Sequence, residues 1–314
     1  MNRSGKYVIA PPVLWLLVFF VVPLLIVVAV SFASRTAYGQ VVFQWTWGNY
    51  VRLFDGLYIS IFGKTLFFAV VTTVCTILLG YPLAYYISCL PPRIREKGLL
   101  LCMIPFWINF LIRSYAWVII LRTQGVLNTF LLKCGVISSP VQFLYNDAAV
   151  FVGMIYALLP FMVLPVYVSI EQLDRRLLEA AADLGASPFT AFCKVTFPLT
   201  LPGIAAGTIL VFISSLGMFI VPDIMGGAKT ALIGNVIQNQ FLSARDWPFG
   251  AALSIVLAFL SLILIALYMK AIRVGKGATS HAKYLASSCA FGIFFGGSCF
   301  SLYSHFHFGA VFFQ

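Results

Sequence analysis

Two ionisable residues stand where binding chemistry would have to happen in a chain that is 61% apolar and only 9% charged. Arg113 lies inside the run Phe106-Trp107-Ile108-Asn109-Phe110-Leu111-Ile112-Arg113-Ser114-Tyr115. A charge in such a run is costly and marks either a pathway or an ion pair. Asp223 follows Pro222 at the end of another apolar run, just before Gly226-Gly227, where the backbone can bend freely. A carboxylate at a flexible mouth can hold a cation. Aromatic faces such as Trp107, Tyr115 and Phe219, with Asn109 beside them, can add cation–π contacts of ~0.5–2 kcal/mol each. Both charges have plainer readings. Arg113, about 8 residues or roughly 12 Å from the outer end of its run, can snorkel to the interface. Asp223 can cap the following helix or pair with Lys229. No Ser/His/Asp or Cys/His set converges, and nine acidic residues are too few for paired-carboxylate catalysis. The chemistry on offer is holding and passing a solute, not making bonds, so the chain reads as a non-enzyme.

The elements that position these residues are membrane helices. A mean hydropathy of +1.00 and so little charge describe an all-α polytopic membrane protein. Strands of a β-barrel alternate over roughly 10 residues, whereas these apolar runs approach the ~20 residues a helix needs to cross the bilayer. Six spans are predicted at about 11–33, 64–88, 98–121, 147–170, 203–222 and 249–271. A seventh stretch, 284–303, is diluted by Ser, Gly and Cys. The first run is too long for a signal peptide and lacks a small-residue cleavage site, so it reads as an uncleaved helix.

Lys and Arg in the connecting segments set the orientation. With the N-terminus inside, the inner segments hold Arg3, Lys6, Arg93, Arg95, Lys97, Arg175, Arg176, Lys194, Lys270, Arg273, Lys276 and Lys283. The outer ones hold only Arg35, Arg52, Lys64, Arg122, Lys133, Lys229 and Arg245. The excess favours a cytoplasmic N-terminus, and it accounts for the net charge of +11 without any nucleic-acid role, which would need a basic face on a soluble domain. The seven cysteines form no CxxC pair and read as small buried hydrophobes. His305 and His307 lack a third ligand, so no metal site is expected.

One segment is polar where the rest is not. Residues 171–203 lie between two apolar runs and are too charged to span a bilayer yet strongly helix-prone. Leu173, Leu177, Ala181 and Leu184 fall at helical spacing. Asp174 suits a helix start, Gly185 a left-handed C-terminal cap, and Ser187-Pro188 an N-cap followed by proline at the first helical position. A helix, a sharp glycine turn and a second helix are predicted, with Pro198 and Pro202 ahead of the fifth span. A short helix on the cytoplasmic face, tied to spans on both sides, is a lever for a soluble partner; the plain reading is a stable surface loop.

The residues Glu179-Ala180-Ala181, Gly185, Pro198-Leu199 and Pro202-Gly203 resemble, over its full length, the EAA loop of permease subunits of binding-protein-dependent ABC importers. Similarity runs from about residue 8 to 272, through Pro105-Phe106-Trp107, Leu111-Ile112-Arg113, the Asp223–Lys229 stretch and Arg245-Asp246-Trp247-Pro248-Phe249-Gly250-Ala251. These stretches are similar to the spermidine/putrescine permeases of that family. The resemblance implies a six-helix type I importer permease fold in a domain of residues 1–273, with the coupling loop at 171–203. It implies a second homologous permease subunit, two cytoplasmic ABC ATPases, a periplasmic or lipid-anchored substrate-binding protein, and a multi-pass place among the lipids of a bacterial inner membrane. It assigns ATPase coupling to Glu179, Ala180, Ala181, Asp183, Leu184, Gly185 and Ala186. A polyamine cargo makes Asp223 the better ligand candidate, since Arg113 would repel it and instead suits the outer gate. No cofactor is expected on this chain: it has no G-x-x-x-x-G-K-[ST] loop, and ATP with magnesium would sit on the partner ATPase.

Residues 274–314 depart from that pattern. They are either a genuine seventh span or a non-homologous, functionless extension. Two other readings stand beside the lead: an ABC permease for another small solute, and an ion-gradient transporter, which the shortage of acidic or His residues inside spans disfavours. The outer stretch Trp45-Thr46-Trp47-Gly48-Asn49-Tyr50 and residues 234–247 read as interfacial anchors, or else as contacts for the binding protein.

Overall fold

The computed structural model describes residues 11–15, 17–36, 39–227 and 230–274. Lys229, the stretch 284–303 and the tail histidines lie outside them. Six helices among the described residues are long and apolar enough to cross a membrane: Pro11–Ser31 (α1), Gly56–Cys89 (α3), Phe110–Lys133, Asp147–Glu171 (α7), Pro188–Leu216 (α9) and Trp247–Lys270. A short antiparallel hairpin, β1 (Ser34–Arg35) with β2 (Val41–Val42), and helix α2 (Gly48–Arg52) follow α1. The span count matches the sequence reading; the second helix starts earlier than predicted, at Gly56, and the third and fifth spans are placed differently.

The predicted third span, 98–121, is broken. Helix α4 (Pro92–Trp107) stops where Ile108 turns extended, and α5 (Phe110–Leu121) begins anew and leads to α6 (Val126–Lys133). The cause is Asn109, whose Oδ1 accepts the Leu111 N–H at 2.9 Å and so caps a fresh helix. The apolar stretch long enough to span is therefore shifted to Phe110–Lys133. The predicted fifth span, 203–222, is also misplaced. It begins at Pro188, passes through a π-helical turn at Phe192–Thr196 and ends at Leu216. Pro198 and Pro202 do not separate it from the preceding helix. The wider turn accommodates residues that cannot donate to the ladder, as π-bulges do. After Leu216 the chain breaks at 217–219 before α10 (Ile220–Gly226) and α11 (Ile233–Leu242); α12 runs Trp247–Val274.

The chain gathers into two compact units. The first takes in the described residues from Pro11 to Phe68, with Val118–Val150 and Leu216–Ala266, and its core holds Leu53, Tyr58, Ile233, Phe249 and Leu253. The second takes in Ala69–Trp117, Phe151–Ser215 and the described residues from Leu267 to Val274. There α9 packs closely on α7: a Cβ on Gly203 would lie 2.4 Å from the Ser169 Cβ and 2.6 Å from the Pro165 carbonyl. Small residues at such crossings let membrane helices approach, which gives Gly203 a packing reason within its motif.

Candidate functional site

The polar segment of the second unit folds from its capping residues outward. Helix α8 (Arg175–Asp183) starts at Asp174, whose Oδ1 accepts the Arg176 N–H at 3.0 Å. It ends in a paired cap: Ala186 N–H donates to the Ala181 carbonyl (3.0 Å) and Gly185 N–H to the Ala182 carbonyl (2.8 Å). This is the Schellman pattern, and it demands the left-handed backbone that Gly185 adopts at φ +78°. Ser187 Oγ then accepts the Thr190 N–H at 3.2 Å, with Pro188 opening α9. The cap signals read at Asp174, Gly185 and Ser187-Pro188 are in the structure.

The apolar stripe of this segment is not buried within the chain. Leu184 is 88% exposed and Phe189 76%, and Leu177 is exposed as well. Glu179, Ala180, Asp183 and Gly185 are exposed, and Ala181 and Ala186 are partly so. Large apolar side chains held out on a rigid, doubly capped turn make a surface suited to a partner.

Behind the turn, Phe192 packs edge-on against Tyr81 (5.9 Å) and Tyr85 (5.5 Å) of α3, and the Tyr81 hydroxyl shares a 3.1 Å hydrogen bond with Thr200 Oγ1. The segment's far side is thereby fixed to a membrane helix.

Arg113 also lies in the second unit and does not snorkel. It is 8% exposed and donates from Nη1 to the Pro105 carbonyl at 2.7 Å. Its guanidinium carbon lies 5.1 Å from the Phe110 ring centre and 5.6 Å from that of Tyr156. The break after α4 leaves carbonyls without helical donors, and the arginine supplies one. Trp107, Asn109 and Tyr115 lie exposed in the same unit, whereas the Arg113 side chain is buried.

Phe219 and Asp223 belong to the first unit. Asp223 lies within α10, its N–H donating to the Phe219 carbonyl at 3.0 Å, and its carboxylate is exposed. It caps neither α10 nor α11, whose starts carry no side-chain cap. The mouth beside it is not loose either. A Cβ on Gly226 would sit 2.8 Å from Thr230 and 3.0 Å from Val150, so the glycines are there for a packed turn.

The sequence profile described as the binding-protein-dependent transport system inner membrane component matches residues 7–273. The chain belongs to that family. It is 47% identical over 277 residues to the spermidine/putrescine transport system permease protein PotB of Salmonella typhimurium, covering 87% of this chain and 96% of that protein. It is 46% identical over 260 residues to the PotB of Escherichia coli K12, covering 83% and 94%. A crystal structure of a bacterial alginate ABC transporter in complex with an alginate pentasaccharide-bound periplasmic protein contains a chain of the same fold, at TM-score 0.73 and 18% identity over 88% of this chain and 98% of that one. The permease is thus a multi-pass inner-membrane component.

Several fixing residues of this permease escaped the sequence reading. In the first unit, Asp246 is buried and accepts from Arg52 Nη1 at 2.9 Å, with Arg35 at 3.8 Å and the Phe249 N–H at 3.4 Å, so one carboxylate starts α12 and holds two arginines. Burial opposes the charge on Arg52, but hydrogen bonds to Asp246 and Tyr58 outweigh it and hold its pKa above the ordinary value. The same guanidinium lies 4.1 Å above the Phe249 ring. Asp147 accepts from Lys64 at 3.2 Å and from Thr230, and buried Asn128 exchanges two hydrogen bonds with Val141 across the loop that follows α6. With nine acids against twenty basic residues, each acid just ahead of an apolar run was a visible signal; its cationic partners, distant in sequence, were not.

Proposed function

We propose that this chain is a pore-forming subunit of an ATP-driven importer that moves polyamines, spermidine or putrescine, into the cytoplasm. The observation that carries the coupling half of this reading is the rigid turn at Gly185 with Leu184 and Phe189 uncovered. An ATPase subunit would seat on it and deliver force through α8 and α9, while ATP and magnesium stay on that subunit. Similarity at 47% identity to a spermidine/putrescine permease supports the cargo. In the first unit the exposed Asp223 carboxylate supplies a fixed negative charge suited to a polycation, with Phe219 as a further contact. In the second unit, taken by itself, we assign Trp107, Asn109 and Tyr115 to the substrate pathway and Arg113 to positioning at the outer gate.

The assembly we infer holds a second homologous permease, two ATPases and a periplasmic or lipid-anchored binding protein, with the N-terminus of this chain cytoplasmic. Residues 1–273 are taken as the permease domain, since the family match ends there, and 274–314 as a segment outside it. Radiolabelled spermidine and putrescine uptake in cells lacking this chain tests the proposal. Restoration of uptake on returning the gene is expected; uptake unchanged by its loss would overturn the polyamine assignment.

A further inference from the structure

Glu171 is the last residue of α7, three positions before the cap of α8, and it accepts a hydrogen bond from Arg95 Nη1. Arg95 sits in α4 just after its start, only 13% exposed at its side chain, and its Nε donates to the Leu90 carbonyl just beyond α3 at 3.3 Å. One guanidinium thus joins the ends of α3, α4 and α7. It is the one ion pair of the second unit among the described residues.

Neither charge is where helix electrostatics would put it. A carboxylate at a helix C-terminus and a cation near a helix N-terminus each oppose the macrodipole, and half-exposed ion pairs add little stability. Stability alone is a poor reason for this pair. Its place in the chain supplies a better one. On the near side of the exposed turn, Glu171 ties the segment to α3 and α4 through Arg95. On the far side, Phe192 and Thr200 tie it to α3 through Tyr85 and Tyr81. The two attachments meet on the same helical hairpin, and α4 ends at the break that Arg113 spans.

We propose that the Arg95–Glu171 pair is the joint that passes movement of the Gly185 turn into the α3–α4 hairpin, with both side chains acting as positioning residues. This rests on the ATPase-coupling reading above. Glu171→Gln is expected to keep assembly and thermal stability, to let ATP hydrolysis continue, and to lower solute moved per ATP about fivefold to tenfold. The exchange Arg95→Glu with Glu171→Arg rebuilds the pair and places each charge at its favoured helix end, so it is expected to recover most of the ratio.

The test uses the complete transporter in proteoliposomes, with ATP hydrolysis and radiolabelled spermidine import measured together. An unchanged ratio in Glu171→Gln, or an exchange variant no better than the single one, would overturn the joint. Failure of any ATPase to co-purify with the unaltered chain would instead overturn the coupling reading, and the joint with it.

Discussion

The Pro105 carbonyl accepts a 2.7 Å hydrogen bond from the buried Arg113 guanidinium across the break that separates α4 from α5. Neither residue is close to the other along a continuous helix, because Ile108 is extended and Asn109 starts a new one. A charge that is costly in an apolar run is therefore satisfied by the backbone that the break exposes.

Arg113→Met keeps most of the volume but removes the donor. The orphaned acceptor is expected to cost roughly 1–3 kcal/mol, read as a lower unfolding midpoint in detergent, while Tyr115→Phe on the exposed face leaves the midpoint unchanged. An unaltered midpoint for the methionine variant would mean that the break holds without the arginine.

Gly185→Leu meets no neighbour, since nothing lies within 4 Å of a Cβ there. Its cost is backbone strain at φ +78°, about 1–2 kcal/mol, concentrated on the exposed turn. Membrane insertion is expected to survive while ATP hydrolysis loses its link to uptake; transport at the original rate would show that the turn's shape is not used.

Asp246→Ala removes the acceptor shared by Arg52, Arg35 and the Phe249 N–H. A loss of about 1–3 kcal/mol is expected from the groups left unpaired, with proteolysis of the α2 region in membranes as the readout. Equal protection in the variant would remove Asp246 as an anchor.

Asp223→Asn keeps the shape of α10 and discards the charge. Polyamine uptake is expected to show a raised KM, consistent with the loss of one charge contact of about 1 kcal/mol in a wet site, and assembly is expected to be normal. Kinetics identical to the parent would place the cargo's contacts elsewhere.

The polar segment was legible almost residue by residue because its structure is local: Asp174, Gly185 and Ser187-Pro188 each act within a few positions of themselves. The span count was legible because composition fixes it. The limits of the third and fifth spans were not, since apolar runs continue through Ile108 and Gly217 without a change of composition. One asparagine cap and one π-helical turn moved them. The tethers were hidden for a different reason: Arg95 and Glu171, or Arg52 and Asp246, are brought together only by the fold.

The most direct test of the central claim is thiol labelling of Leu184→Cys in a background whose seven native cysteines are serine. A membrane-impermeant maleimide is expected to label inverted vesicles and not intact cells, and to be blocked when the ATPase subunit is bound. Labelling from the outside of intact cells, or labelling indifferent to the ATPase, would contradict the account.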